Sequence, residues 1–108
     1  MMDSIKGRME FILSHEEMDR IQFQKVAGKK IEVVADVHGM KCAYAKRFLK
    51  NIIAIIRDEF FVLVIHGYNH GCVIKDMIRT DILSTRVIEL MSVQNNMGRT
   101  LISIGNYI

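Results

Sequence analysis

Phe60 to Asp76, FFVLVIHGYNHGCVIKD, is an apolar run that breaks into a loop bearing histidines and glycines and then resumes at helical spacing. No other stretch constrains the fold as strongly. Phe60 to Ile65 is rich in β-branched and aromatic residues without polar alternation, the pattern of a strand covered on both faces in an α/β sheet. At His66-Gly67-Tyr68-Asn69-His70-Gly71 that pattern stops, and from Cys72 onward Ile74, Met77, Ile78 and Ile82 recur at helical intervals. The loop is therefore expected to join the carboxyl end of a strand to the amino end of a helix. At such junctions unpaired backbone amides and the helix dipole meet the edge of a parallel sheet, where α/β proteins bind anions and phosphorylated ligands.

Half of the 108 residues are hydrophobic, enough for one domain with its own core. No apolar run approaches the roughly 20 residues that span a bilayer, and the amino terminus lacks the apolar core of a secretory signal. A cytoplasmic protein with no membrane partner is the expectation. Cys42 and Cys72 are expected to be reduced packing residues, too few for a structural zinc site. No metal and no cofactor is assigned. The net charge of +3 is compatible with a nucleic-acid partner and does not demand one.

Residues 1–30 read as an extension carrying a short helix, and residues 31–108 as the main domain. Met1 to Arg8 is polar and expected to be loose, and Glu10 to Leu13 could form a short strand. Ser14-His15-Glu16-Glu17 has the form of a capping box, with Leu13 and Met18 placed as its hydrophobic staple, so a helix is expected from His15 to about Lys25. Ile31 to Val37 is a second buried strand, closed by His38-Gly39. From Lys41 to Arg57 the apolar residues Ala45, Phe48, Leu49, Ile52, Ile53 and Ile56 form a clean helical stripe. Lys46, Lys50 and Arg57 lie within an arc of roughly 40° beside it, at about 100° per residue, and no acidic residue falls between Lys41 and Arg57. A second helix, about Cys72 to Leu83, is followed by Arg86 to Val93 and Thr100 to Ile104 flanking an Asn- and Gly-bearing connection, the signal of a β-hairpin. The expected fold is a two-layer α/β sandwich: βαβαββ with a mixed four-stranded sheet, preceded by a short helix.

Both strand-to-helix junctions carry His-Gly, at His38-Gly39 and His66-Gly67. If the two parallel strands are near neighbours, both histidines emerge at one sheet edge. Asp36 and His38, two apart on a strand, share a face, and a carboxylate beside an imidazole can fix its tautomer and hold a proton-transfer group in place. Taken singly, each of these residues is as readily a strand-end hydrogen-bonding group. Gly39, Gly67 and Gly71 permit close backbone approach to a ligand, or simply serve turns. His70 is a further polar group at the loop or an exposed residue; Tyr68 could stack on a base. Lys41, Lys46, Lys50, Lys75 and Arg79 would flank the mouth and neutralise phosphates, or form a solvated face.

Asp36-Val37-His38-Gly39-Met40 looks like the D-L-H-G-L motif of the small MutS-related (Smr) domain, and Ile65-His66-Gly67-Tyr68-Asn69-His70-Gly71 resembles that family's I-H-G-x-G-x-G loop. Asn96 to Ile102 is similar to its glycine-containing turn and last strand. The resemblance covers about Glu32 to Ile104 and implies a fold similar to the carboxyl-terminal domain of translation initiation factor three. It also implies nucleic-acid binding, with endonuclease activity on DNA or RNA in several members and contexts such as recombination control or stalled ribosomes. On this resemblance Asp36 and His38 belong to the catalytic motif, and His66, Gly67 and Gly71 to the substrate-contacting loop. Asn69 stands where the family has its middle loop glycine, and its side chain takes up space beside a phosphate or base.

Three readings follow. The first is an Smr-like nucleic-acid-binding protein that cleaves phosphodiester bonds, with Asp36, His38 and His66 as the chemical set. The second is a binding or adaptor module, on nucleic acid or a ribosomal surface, that holds without cutting; Asn69 and the mild charge favour it. The third is a small phosphate-ligand protein using the same glycine turns.

Overall fold

The computed structural model describes residues 2–26, 30–67, 71–81, 83–93 and 96–106. In chain order the elements are helices α1 (Met2–Ile12) and α2 (His15–Met18), strands β1 (Ile21–Lys25) and β2 (Ile31–Asp36), helix α3 (Cys42–Ile55), strand β3 (Phe60–Ile65), helix α4 (Gly71–Thr80), and strands β4 (Val87–Val93) and β5 (Asn96–Ile104). The strands form one mixed sheet in the order β1-β2-β3-β5-β4, so β3 is its central strand. Only β2 and β3 run parallel, with Ile31 opposite Phe60 and Asp36 opposite Ile65; the other pairs are antiparallel.

Period-two alternation assigns the two faces. Val33, Ala35 and Val37 of the β2 segment, Phe60, Val62 and Val64 of β3, and Ile102 and Ile104 of β5 are buried in one core. The α3 stripe of Ala45, Phe48, Leu49, Ile52 and Ile53 and the α4 residues Ile74, Met77 and Ile78 belong to the same core. On the other face Phe61, Leu63 and Ile65 are half-buried and stand outside that core. The central strand is therefore covered by helices on one face only, where its unbroken apolar run suggested two.

The amino-terminal third departs most from expectation. Residues 2–12, expected to be loose and then extended, form α1, because Ile5, Met9 and Leu13 recur four apart and are all buried, Met9 completely. Helix α1 packs on α3. The capping box does form: the Glu17 amide donates to the Ser14 hydroxyl at 3.1 Å, and the Ser14 amide to the Glu17 carboxylate at 2.9 Å. The helix it starts lasts only to Met18, however, and residues 21–25 form β1 instead. Ile21 and Phe23 face the core while Gln22 and Gln24 face away, a two-residue period that suits pairing with the otherwise open edge of β2. The sheet accordingly has five strands rather than four.

Candidate functional site

The parallel pairing of β2 and β3 brings the two His-Gly junctions to the same sheet edge. The Val37 amide extends the ladder by donating to the Ile65 carbonyl at 2.9 Å. After it the chain reverses: the Met40 amide donates to the Val37 carbonyl at 3.1 Å, and Gly39 takes φ +78° at the third position of this four-residue turn. Such a φ is what a type II turn demands there, so glycine is the natural occupant. Gly67 has φ +83°, and a side chain placed on it would stand 3.6 Å from the His38 Cβ. The two turns are thus in direct apposition.

Asp36 and His38 meet. Asp36 Oδ1 accepts from the His38 backbone amide at 3.1 Å and lies 2.5 Å from His38 Nδ1. Against a carboxylate, Nδ1 must carry the proton, so Nε2 holds the lone pair. The His38 side chain is 64% exposed, and among the described residues Nε2 has no partner. The pair is held from below by Arg20, whose Nη1 donates to the Asp36 carbonyl at 3.2 Å and the His38 carbonyl at 3.0 Å.

His66 stands differently. It keeps the phase of Phe60, Val62 and Val64, so its ring enters the core, where it is 1% exposed. Nδ1 faces the Gly67 carbonyl at 3.1 Å and therefore donates; Nε2, 2.9 Å from Thr100 Oγ1, accepts from that hydroxyl. Burial holds the ring's pKa below its ordinary value; the Gly67 hydrogen bond opposes this, and the Lys75 and Arg79 cations add to it. The ring is a neutral structural tie between β3 and β5, reinforced where the His66 and Gly67 amides both donate to the Gly98 carbonyl at 2.9 and 3.0 Å. His38 and His66 share a sheet edge but not a face.

The expected basic edge is divided along α3. Lys41, exposed, is the residue before the first helical turn, which has no side-chain cap and no acidic residue. Lys46 pairs with Asp81 at 3.1 Å. Lys50 lies about one helical turn beyond Lys46, further from the His38 end, and lines a separate cavity of about 630 Å³ with Leu83 and Ser84. Lys75 is half-buried on α4, and Arg79 donates to the Ser92 hydroxyl at 3.0 Å. Gly71 begins α4, while Tyr68, Asn69 and His70 lie outside the described residues. Cys42 is a free thiol, and its Sγ lies 3.9 Å from the Val73 carbonyl.

Sequence reasoning placed nothing of the amino-terminal segment at this site, yet Arg20, Glu16 and Glu17 border it. With Met40, Lys41 and Tyr44 they line a cavity of about 250 Å³ beside the His38 turn. The neighbouring Glu17 carboxylate holds the pKa of the Tyr44 phenol above its ordinary value. Arg47 lies over the Tyr44 ring, 5.0 Å from its centroid. The signal that could have found Arg20 was the alternation of Ile21 to Lys25: once that stretch is a strand against β2, Ile21 faces Ala35 and Arg20 falls beside Asp36. No protein-family model matches the chain, and no curated protein matches it either.

Proposed function

We propose that this protein binds nucleic acid across the Asp36–His38 edge and cleaves a phosphodiester bond there, as its resemblance to the Smr domain implies. The observation that carries the reading is the exposed His38 imidazole with Nδ1 held by Asp36 and Nε2 directed away from that bond. An imidazole so held is a general base: Nε2 accepts the proton of the attacking hydroxyl, a water or a ribose 2′-hydroxyl, and Asp36 stabilises the imidazolium that forms. As the new P–O bond forms, the P–O bond to the leaving ribose oxygen breaks, and that oxygen takes up a proton while Nε2 gives one back. The uncapped first turn of α3 and the Lys41 ammonium supply positive potential for the phosphate beside it. Gly39 and Gly67 keep the mouth low, so that a backbone can approach.

His66 enters this reading as a positioning residue. Both of its nitrogens are engaged and its ring is buried, so it fixes the Gly67 turn against β5 rather than exchanging protons with a substrate. Among the described residues that leaves one histidine at this edge for the chemistry, which also favours the second reading: a module that holds nucleic acid without cutting it.

Purified protein incubated with labelled single-stranded RNA, supercoiled plasmid and linear duplex, with and without EDTA, separates the two. Cleavage by the wild type, lost in folded His38→Ala and Asp36→Asn variants, sustains the nuclease reading and names the substrate class. Binding without cleavage selects the second reading. Neither binding nor cleavage removes both.

A further inference from the structure

The cavity beside His38 differs from a plain phosphate site in carrying two carboxylates. Glu17 is committed to the capping box, accepting from the Ser14 amide at 2.9 Å. Glu16 also lines the cavity and, among the described residues, has no hydrogen-bond or ion-pair partner. Arg20 and Lys41 line the same cavity and bring donors, so two cations balance the two carboxylates. Such a lining repels an isolated phosphate at its acidic side and suits a neutral planar group that presents donors and acceptors together. Met40 and the Tyr44 ring add apolar and aromatic surface on which a planar ring can stack. At about 250 Å³ the space lies just under the roughly 300–1,000 Å³ of pockets for drug-sized ligands.

We infer that this cavity is a base-recognition pocket for guanine in a single strand running past Asp36 and His38. Among the bases only guanine presents two adjacent donors, N1–H and the N2 amine, that a single carboxylate accepts side by side, with the O6 and N7 acceptors next to them. The Glu16 carboxylate takes the two donors, the Arg20 guanidinium faces the acceptors, and Tyr44 carries the ring, while Lys41 keeps to the phosphate. Arg20 ties the pocket to the chemistry, since the same guanidinium holds the Asp36 and His38 carbonyls. The inference rests on the nucleic-acid reading above and adds to it a base next to the reacting phosphate.

The test is fluorescence-anisotropy binding in a His38→Ala background, which prevents turnover. Labelled uridine-rich RNA strands and their thymidine-rich DNA counterparts carry guanine, inosine or adenine at one position. Guanine is expected to bind roughly 5- to 150-fold more tightly than adenine, with inosine, which lacks the N2 amine, in between. Adding Glu16→Gln is expected to bring the guanine-to-adenine ratio to about one; the removed charge alone strengthens both strands equally and leaves that ratio unmoved. Tyr44→Ala is expected to weaken the guanine strand most. Equal affinity for guanine and adenine, or a preference that survives Glu16→Gln, overturns the pocket and leaves the nucleic-acid reading standing. Free guanosine monophosphate binding more tightly than the strand overturns the assignment to a strand. No binding of any strand at low salt overturns both.

Discussion

His38 and His66 show how one residue type takes two roles within a few ångströms of the same sheet edge. His38 is exposed and directed by Asp36, so His38→Ala and Asp36→Asn are each expected to lower cleavage by about 10²–10⁴-fold. The unfolding free energy of His38→Ala should stay within about 0.5 kcal/mol, as for ordinary surface substitutions, and that of Asp36→Asn, whose side chain accepts from the His38 amide, should fall by about 0.5–1.5 kcal/mol, when followed by urea titration. His66 is buried and neutral, with its folded pKa below the ordinary value of about 6.5. As pH falls through that ordinary value the unfolded chain binds the proton first, so the stability of the neutral buried ring is full above it. That stability is lost on acidification until the folded ring also protonates, at a slope of at most about 1.4 kcal/mol per pH unit. Urea midpoints near neutrality and in mild acid should therefore separate in the wild type and converge in His66→Gln. Thr100→Val removes the hydroxyl that meets Nε2 in the core and is expected to cost about 1–3 kcal/mol at neutral pH.

At the scale of elements, α1 and β1 owe their conformations to what they pack against. Helix α1 offers Ile5, Met9 and Leu13 to the core beside α3, and Met9→Ala is expected to cost about 2–5 kcal/mol, read as a drop in the urea midpoint. Strand β1 has only Ile21 and Phe23 on its inner side, too little to hold an isolated strand; the backbone ladder to β2 supplies the rest. Its first consequence for the site is Arg20, delivered to the carbonyls of Asp36 and His38. Gly39→Ala places a side chain at φ +78° in open space, so its expected cost of about 1–2 kcal/mol is backbone strain alone.

Across the whole molecule, the parallel pair β2–β3 sends both glycine turns to one end, and α3 starts at that end and runs away from it. Charge follows the same axis. Lys41 sits at the site, Lys46 is paired with Asp81, and Lys50 borders a cavity beyond it. Lys41→Glu is accordingly expected to weaken nucleic-acid binding and to flatten its dependence on log salt by about 0.7 for a single strand. Lys50→Glu is expected to leave both unchanged, in binding titrations over a salt series. Among the described residues no helix is long and apolar enough to cross a membrane.

The sequence by itself determined β2, β3, α3 and the pairing of the last two strands, because each carries its own dense apolar run or stripe, although β5 starts at Asn96, inside the expected connection; it also brought Asp36 and His38 together through their spacing of two. It also held the clue to His66, which keeps the phase of Phe60, Val62 and Val64. Only the tertiary structure decided that α1 and β1 exist as they do, because two or three apolar residues among polar neighbours gain their burial from elements far along the chain. It alone separated the two histidines by face, split the basic edge of α3, and set Glu16, Arg20, Lys41 and Tyr44 around one cavity. These outcomes depend on sheet register and on where a helix starts and ends in space, which residue spacing within a single element does not contain.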